Sequence, residues 1–188
     1  MMKNKILTNS VRRYKIGILV ADGYQVLMVN YPFLRLREEG LRPLFIGSDR
    51  QSLVADRTRQ NEILVDIDFD DARKRDWDLL LIPGGELTKS LVSLPGARNL
   101  IQEAYQYRTY IAAVGNGILL LAKAGILDGH RCSAPRVPGI ETILAEAGGS
   151  RSEKPITVDG LIITAEDVPE LPVFTITMIE ALTGKKKT

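Results

Sequence analysis

The amino-acid sequence predicts a doubly wound α/β domain, with a mostly parallel sheet and helices on both of its faces. Residues 15–21, 78–83 and 109–114 are short apolar runs without polar alternation, which is typical of strands buried on both faces. Stretches with helical spacing of apolar residues lie between such runs, and this alternation favours parallel strands. A length of 188 residues is enough for one domain with one core.

The first half of the chain supports this prediction element by element. We expect residues 1–13 to form a flexible polar arm and residues 15–21 to form the first strand. Apolar spacing predicts a helix over 25–39, which Pro32 should kink or interrupt because proline has no amide donor. The next strands are predicted at 41–47 and, as an edge strand with partial alternation, at 63–69.

The second half repeats the alternation, and residues 14–184 are therefore predicted to be a single domain followed by a basic tail at 185–188. Asp159-Gly160 is the turn signal of a predicted two-residue hairpin. In chain order we predict a strand at 78–83, a helix at 95–107, a strand at 109–114, a helix at 118–124, a brief strand at 131–134, a helix at 139–147, the hairpin at 156–164 and a helix at 171–182.

Composition excludes several classes of protein. The net charge of +2 comes with no basic stripe through the body of the chain, which argues against a nucleic-acid-binding role. No apolar run approaches the roughly 18 residues of a membrane span, and no secretory signal is evident. A single cysteine rules out an internal disulfide framework, so we expect a cytoplasmic protein.

The segment 114–117 is the most informative local pattern. A buried strand that ends in small residues, turns within one residue and enters a helix is the geometry of a nucleophile elbow. In open α/β sheets, ligands bind beyond the carboxyl ends of the strands, where 21–25 and 83–87 should meet this turn.

These pieces, taken in order and spacing, resemble the ThiJ/PfpI family, which includes DJ-1-like proteins and belongs to the class I glutamine-amidotransferase-like superfamily. The resemblance covers nearly the whole chain after the arm, and it implies a flavodoxin-like fold. It rests on Tyr31-Pro32, 35–40, Asp78-Leu-Leu-Leu-Ile-Pro-Gly-Gly85, Ile111-Ala-Ala-Val-Gly-Asn-Gly117, 120–129, Pro138-Gly139, Val158-Asp-Gly-Leu-Ile-Ile-Thr164 and 167–174.

The chain departs from this family at the positions that would carry chemistry. Where the family has Ala-Ala-Ile-Cys-His-Gly, this sequence has Gly115 in place of the cysteine and Asn116 in place of the histidine. The acid that normally hydrogen-bonds the cysteine lies four residues before the helix proline, which places it at Met28. Glycine cannot act as a nucleophile and methionine cannot transfer a proton, so the resemblance does not imply cysteine hydrolase or deglycase activity here.

Other residues are weaker candidates for a site. Cys132 and His130 are the single cysteine and histidine and are interpreted as a relocated pair or, more simply, as a buried thiol after a turn. Glu86 and Asp22 are carboxylates that could serve as a base, and Glu166 could also reach the cleft. For Glu86, an acid at the start of a helix is the simpler interpretation.

The predicted ligand pocket comprises Gln25, Met28, Gly85, Glu86, Gly115 and Asn116. Gly85 would offer an amide donor, Gln25 and Asn116 would hold a ligand, and Met28 would either line the pocket or join the core. The acidic residues Asp66, Asp68, Asp70 and Asp71 lack the glycine and final glutamate of a calcium loop, so we predict no metal site.

The sequence therefore favours a catalytically degenerate protein that binds an unknown small molecule or regulates a partner, without a cofactor. The family resemblance implies a homodimer or a larger homo-oligomer. Two alternatives stay open: a hydrolase or lyase of altered chemistry that uses a cleft carboxylate or the Cys132–His130 pair, and a purely structural subunit.

Overall fold

A computed structural model describes residues 14–184, and its centre is a seven-stranded sheet in the order β10-β11-β7-β6-β1-β2-β5. The strands are β1 (Lys15–Leu19), β2 (Arg42–Gly47), β3 (Leu53–Ala55), β4 (Glu62–Leu64), β5 (Ile67–Asp68), β6 (Leu79–Ile82), β7 (Tyr110–Val114), β8 (Arg131–Cys132), β9 (Ser150–Arg151), β10 (Ile156–Asp159) and β11 (Ile162–Ala165). All pairs in the main sheet are parallel except β10 with β11. The predicted arm at 1–13 and tail at 185–188 lie outside the described residues.

Helices cover both faces of this sheet, as the sequence predicts. They are α1 (Val26–Glu38), α2 (Phe69–Arg73), α3 (Leu87–Ser93), α4 (Pro95–Gln106), α5 (Ile118–Lys123), α6 (Ile140–Glu146) and α7 (Leu171–Thr183). Helices α1 and α7 pack against each other, while α2, α4, α3 and α5 form a second contiguous group. The sheet is thus the middle of three layers.

The core explains why the predicted inner strands lack polar alternation. Strand β6 pairs with β1 on one side and β7 on the other, and Leu79, Leu80, Leu81 and Ile82 are fully buried. A strand with helices above and below it has no solvent-facing side, so both sets of side chains are apolar.

Three local predictions differ in part from the structure. Pro32 does not interrupt α1, which continues through it to Glu38. The predicted edge strand at 63–69 is divided into β4, which pairs with β3, and the short β5, and it is followed by α2 from Phe69. In the hairpin, Asp159 pairs with Ile162, so the turn is one residue later than predicted.

The topology places a crevice at the carboxyl ends of β1 and β6. The chain passes from β1 outward to β2 on one side and later returns to build β6, β7 and β11 on the other. Such a reversal of strand order is where open α/β sheets bind ligands. The loops that follow β1, β6 and β7 therefore define the candidate site.

Candidate functional site

The turn after β7 has the geometry of the predicted elbow. Gly115 is buried and has a φ angle of +61°, and a 3₁₀ turn over Gly115–Gly117 leads directly into α5. A residue with a side chain would adopt this left-handed conformation only under strain, whereas glycine does so at little cost. The sharp strand-to-helix turn is therefore kept without the strain that a nucleophile on it would carry.

Met28 lies directly over this turn. A Cβ atom on Gly115 would be 3.0 Å from the Met28 Cε and 3.7 Å from its Sδ, and 3.9 Å from an Asp167 carboxylate oxygen. Met28 itself is 2% exposed and belongs to the core. Of the two interpretations of Met28, the structure gives the core position, in contact with the elbow. The thioether fills the space in which a reactive side chain at 115 would stand.

Asn116, the residue after Gly115, joins the elbow to the turn after β6. Its Oδ1 accepts a hydrogen bond from the Gly85 amide at 2.6 Å, and its Nδ2 donates to the Gly85 carbonyl at 3.1 Å. The Thr88 hydroxyl donates to the same Oδ1 at 3.3 Å. The Gly85 amide, predicted as a donor towards a ligand, thus already donates to Asn116, another of the predicted pocket residues.

Gly84 makes this clamp possible by its lack of a side chain. A Cβ atom there would lie 2.7 Å from the Val114 carbonyl oxygen and 2.8 Å from the Asn116 Oδ1. Real Cβ atoms do not approach oxygen so closely, so the backbone after β6 and the elbow can touch only with glycine at 84. Sequence reasoning named Gly85 but not the packing of Gly84 against the elbow.

The cleft carboxylates predicted as weak catalytic candidates do not converge. Asp22 is exposed, and its Oδ1 accepts from the Ala55 amide at 2.8 Å, which ties the β1 loop to β3. Glu86 is exposed at the start of α3, where its side chain makes no capping hydrogen bond. Gln25 is exposed at the start of α1, next to Gly85.

Glu166 is held in an ion pair. Its Oε1 accepts from the Arg151 guanidinium at 2.5 Å and lies 3.4 Å from that of Arg136. Both arginine side chains therefore engage this carboxylate, which is taken up by these contacts. Glu166 was predicted to reach the cleft, but its carboxylate is bound by arginines and does not act there as a catalytic group.

Cys132 and His130 do not form a nucleophile–base pair. Cys132 is fully buried, and burial, with a smaller contribution from Asp159, raises the pKa of its thiol to about 12. His130 instead has its Nε2 2.8 Å from the Tyr105 hydroxyl and its Nδ1 3.4 Å from the Asp159 carboxylate. A buried protonated thiol is the simpler of the two sequence interpretations.

The acidic residues at 66–71 have structural roles. Asp66 accepts from the Phe45 amide, and Asp68 caps α2 by accepting from the Asp71 amide. Within residues 14–184, no group of three or more histidine, cysteine, aspartate or glutamate side chains is placed to hold a metal ion. Over the same range, no helix is both long and apolar enough to cross a membrane.

A groove behind the elbow, on the helix side, has a volume of about 540 Å³. It is bounded by α3, α5 and α6, and its lining includes the clamp residues Thr88 and Asn116. Of the predicted pocket residues, only Asn116 lines it. Sequence reasoning missed this groove because it is built from three helices that are far apart in the chain, and of α3 it anticipated only the start at Glu86.

The sequence of this chain is similar to those of known proteins. Residues 14–181 match the model of the DJ-1/PfpI family. The chain is 26% identical to DJ-1 protein homolog E of Arabidopsis thaliana, in an alignment that covers 95% of this chain. The same alignment covers 48% of the Arabidopsis protein, so this chain spans about half of that relative's length. This chain is also 25% identical to a deglycase of Pyrococcus horikoshii, covering 78% of the chain and 86% of that protein.

Solved structures show the same fold. Drosophila melanogaster DJ-1beta superposes with a TM-score of 0.83 at 21% identity, covering 93% of this chain and 92% of that one. The DJ-1/ThiJ/PfpI-like part of a two-domain protein from Anabaena variabilis, which also has a ferritin-like domain, gives a TM-score of 0.84 at 22% identity. That match covers 90% of this chain and 48% of the Anabaena chain.

Proposed function

Because the chain belongs to the DJ-1/PfpI family, we propose that it is a non-catalytic member, which acts by binding a small molecule and not by cysteine chemistry. Relatives from Pyrococcus are named deglycases, and that name describes those proteins. The proposal concerns what becomes of the family's site when its nucleophile position carries no side chain.

A single observation carries the proposal: the Met28 methyl group lies over Gly115, at the place of a missing side chain. The turn is intact, with Gly115 at a φ angle of +61°, but it offers no thiol, and its neighbour is an apolar thioether where proton transfer would need an acid. The Asn116 clamp on Gly85 occupies a second group that would otherwise face a substrate. Both changes remove reactivity without removing the fold.

The alternative of altered enzyme chemistry has less support. Asp22, Glu86 and Glu166 are engaged elsewhere or exposed and separate, and Cys132 is a protonated thiol at neutral pH. A catalytic site needs a nucleophile or base together with a group that orients it. No such pair among residues 14–184 is observed beside the elbow.

We also propose a homo-oligomer, assembled through the outer face of α1. Leu27 and Leu34 are 54% and 58% exposed, and they share one side of the helix because they are about two turns apart. Val173, 60% exposed, is on α7, which packs beside α1. Exposed large apolar side chains that recur on neighbouring helices are typical of association surfaces.

An activity assay tests the non-catalytic proposal. We expect the purified protein to show no turnover above buffer on glycated amino-acid adducts under conditions in which the Pyrococcus horikoshii deglycase is active. Turnover that falls in the Glu86→Gln, Asp22→Asn or Cys132→Ser variants would overturn the proposal and favour the altered enzyme.

A further inference from the structure

We propose that the groove between α3, α5 and α6 binds a small molecule that has an apolar body and one carboxylate or sulfonate group. The inference rests on the proposed binding function, and it names the site and the chemical class of the ligand. The groove has a volume of about 540 Å³, which falls within the range of about 300–1,000 Å³ of small-molecule pockets.

The apolar part of the ligand would rest on α5. Leu119 and Ala122 lie on one face of this helix, and the small side chain of Ala122 leaves room above it. Val92 of α3 and Ile143 of α6 form apolar parts of the two walls. Helix α5 contacts both α3 and α6, so the floor and the walls belong to one packed unit.

The charges around the groove favour an anion. Lys89 and Lys123 both line it and are exposed, and within residues 14–184 neither forms an ion pair. Glu146 is the single carboxylate in the lining. Two cations against one anion favour a ligand with one negative group and disfavour a cationic ligand of the same shape.

The depth of the apolar surface favours a small molecule over a protein partner. Val92, Leu119 and Ala122 are each only partly exposed, and Ile143, at 39%, is the one large apolar lining residue that is well exposed. A flat protein surface contacts side chains that protrude, whereas a recessed floor is reached by a ligand that enters the groove. The occupant we infer is therefore a compact organic anion.

The groove is connected to the elbow through polar side chains. Thr88 and Asn116 line it; the Asn116 side chain clamps Gly85, and the Thr88 hydroxyl donates to the Asn116 Oδ1. A ligand in the groove would lie against this clamp, and Met28 is not among the residues that line the groove. Binding is therefore inferred in the groove and not in the space over Gly115 where Met28 lies.

The experiment titrates ¹⁵N-labelled protein with 2-naphthoate and with 2-naphthylmethylamine, which have the same ring and opposite charge. We expect amide shifts in α3, α5 and α6 with the carboxylate and at least tenfold weaker binding of the amine. Lys123→Glu should raise the Kd for 2-naphthoate about fivefold. Ala122→Trp, which fills the floor, should raise it at least tenfold.

Lys154→Glu is the matched control, because Lys154 is an exposed lysine outside the groove and its change should leave the Kd unaltered. The unligated ¹⁵N spectrum of each variant verifies that it is folded. Equal or tighter binding of the amine, no binding of the carboxylate, or a Kd unaffected by both Lys123→Glu and Ala122→Trp would overturn the inference. Amide shifts confined to Gly115 and Met28 would also overturn the inference about the groove, but they would be consistent with the proposed non-catalytic binding function. That proposed function is tested separately, by the turnover assay.

Discussion

The backbone at Gly115 adopts a φ angle of +61°, and Met28 occupies the volume beside it that a side chain would need. The two residues are far apart in the sequence, since Met28 is in α1 and Gly115 follows β7, but they are in contact in the fold. Glycine removes both the reactive group and the strain of holding it, and methionine turns the vacated space into core. Restoring chemistry at this turn would therefore require changes at both positions.

The contact between Met28 and position 115 predicts a specific stability effect. We expect Gly115→Ala to lower the free energy of unfolding by more than the about 1–2 kcal/mol that a left-handed alanine costs by itself. Gly125→Ala is the control, since Gly125 has a similar φ of +68° and no atom within 4 Å of a Cβ position. Urea unfolding of both variants measures the difference in the free energy of unfolding. Equal decreases in the two variants would show that the Met28 side chain can shift without destabilising the protein.

The buried thiol of Cys132 predicts resistance to labelling. Because burial raises its pKa to about 12, almost no thiolate exists at pH 8, and reagents also lack access to a fully buried sulfur. We expect a disulfide exchange reagent to leave native protein unlabelled at pH 8 and to label one thiol per chain after unfolding in urea. Fast labelling of the native protein would return Cys132 to the list of possible nucleophiles.

At the scale of single residues, the elbow was predictable and its neighbours were not. The small residues of 112–117 after an apolar strand identify the turn, and the positive φ of Gly115 agrees with that pattern. The hydrogen bonds from Asn116 to Gly85 join residues 31 positions apart, and no local pattern specifies such a partner. The sequence could name Asn116 as a hydrogen-bonding group, but only packing decides what it bonds.

At the scale of elements, long apolar runs were predicted well and short polar segments poorly. Strands β1, β6 and β7 follow from apolar runs, because burial on both faces favours apolar side chains at successive positions. The segment 63–69 alternates as a strand should, yet Asp68 caps a helix that begins at Phe69. In short segments capping and hairpin pairing outweigh periodicity, which is why β3 and α2 were not predicted.

Asp56 organises the hairpin of β3 and β4. Its carboxylate accepts hydrogen bonds from the Thr58 hydroxyl, from the Gln60 amide and from both the backbone and the side chain of Asn61. Burial opposes ionisation of Asp56, but the hydrogen bonds from Asn61 and Thr58 outweigh it and lower its pKa from 3.8 to about 2. The loop between the two strands therefore depends on an ionised carboxylate.

We expect Asp56→Ala to speed hydrogen exchange of the β3 and β4 amides at least about tenfold, since the loop donors lose their acceptor. Since the folded pKa is depressed, the stability due to Asp56 is complete above the unfolded pKa of about 3.9 and is lost as pH falls towards 2. The difference in melting temperature between wild type and Asp56→Ala should thus narrow between pH about 4 and 2. Asp49→Ala, an exposed aspartate before the same hairpin, should show neither effect.

At the scale of the whole molecule, the sheet separates two surfaces with different proposed uses. The elbow connects β7 to α5, and the ligand groove is behind it among α3, α5 and α6. The exposed leucines belong to α1, which packs with α7 in the other helix group. Ligand binding and self-association therefore need not compete, because the surfaces proposed for them do not share a residue.

The proposed association through α1 predicts a change of mass on charge insertion. Leu27 and Leu34 are exposed in the single chain and would be buried in the proposed assembly. Replacing both should weaken the free energy of association by more than the roughly 1.4 kcal/mol that corresponds to a tenfold change in Kd. We expect wild type to sediment as a dimer or a larger assembly, and Leu27→Glu with Leu34→Glu to weaken this association at least about tenfold. Val158→Glu is the control, because Val158 is similarly exposed, at 51%, but lies on β10 at the edge of the sheet. A monomeric wild type would contradict the proposed homo-oligomer. An assembly that tolerates both glutamates and dissociates with Val158→Glu would place the interface elsewhere.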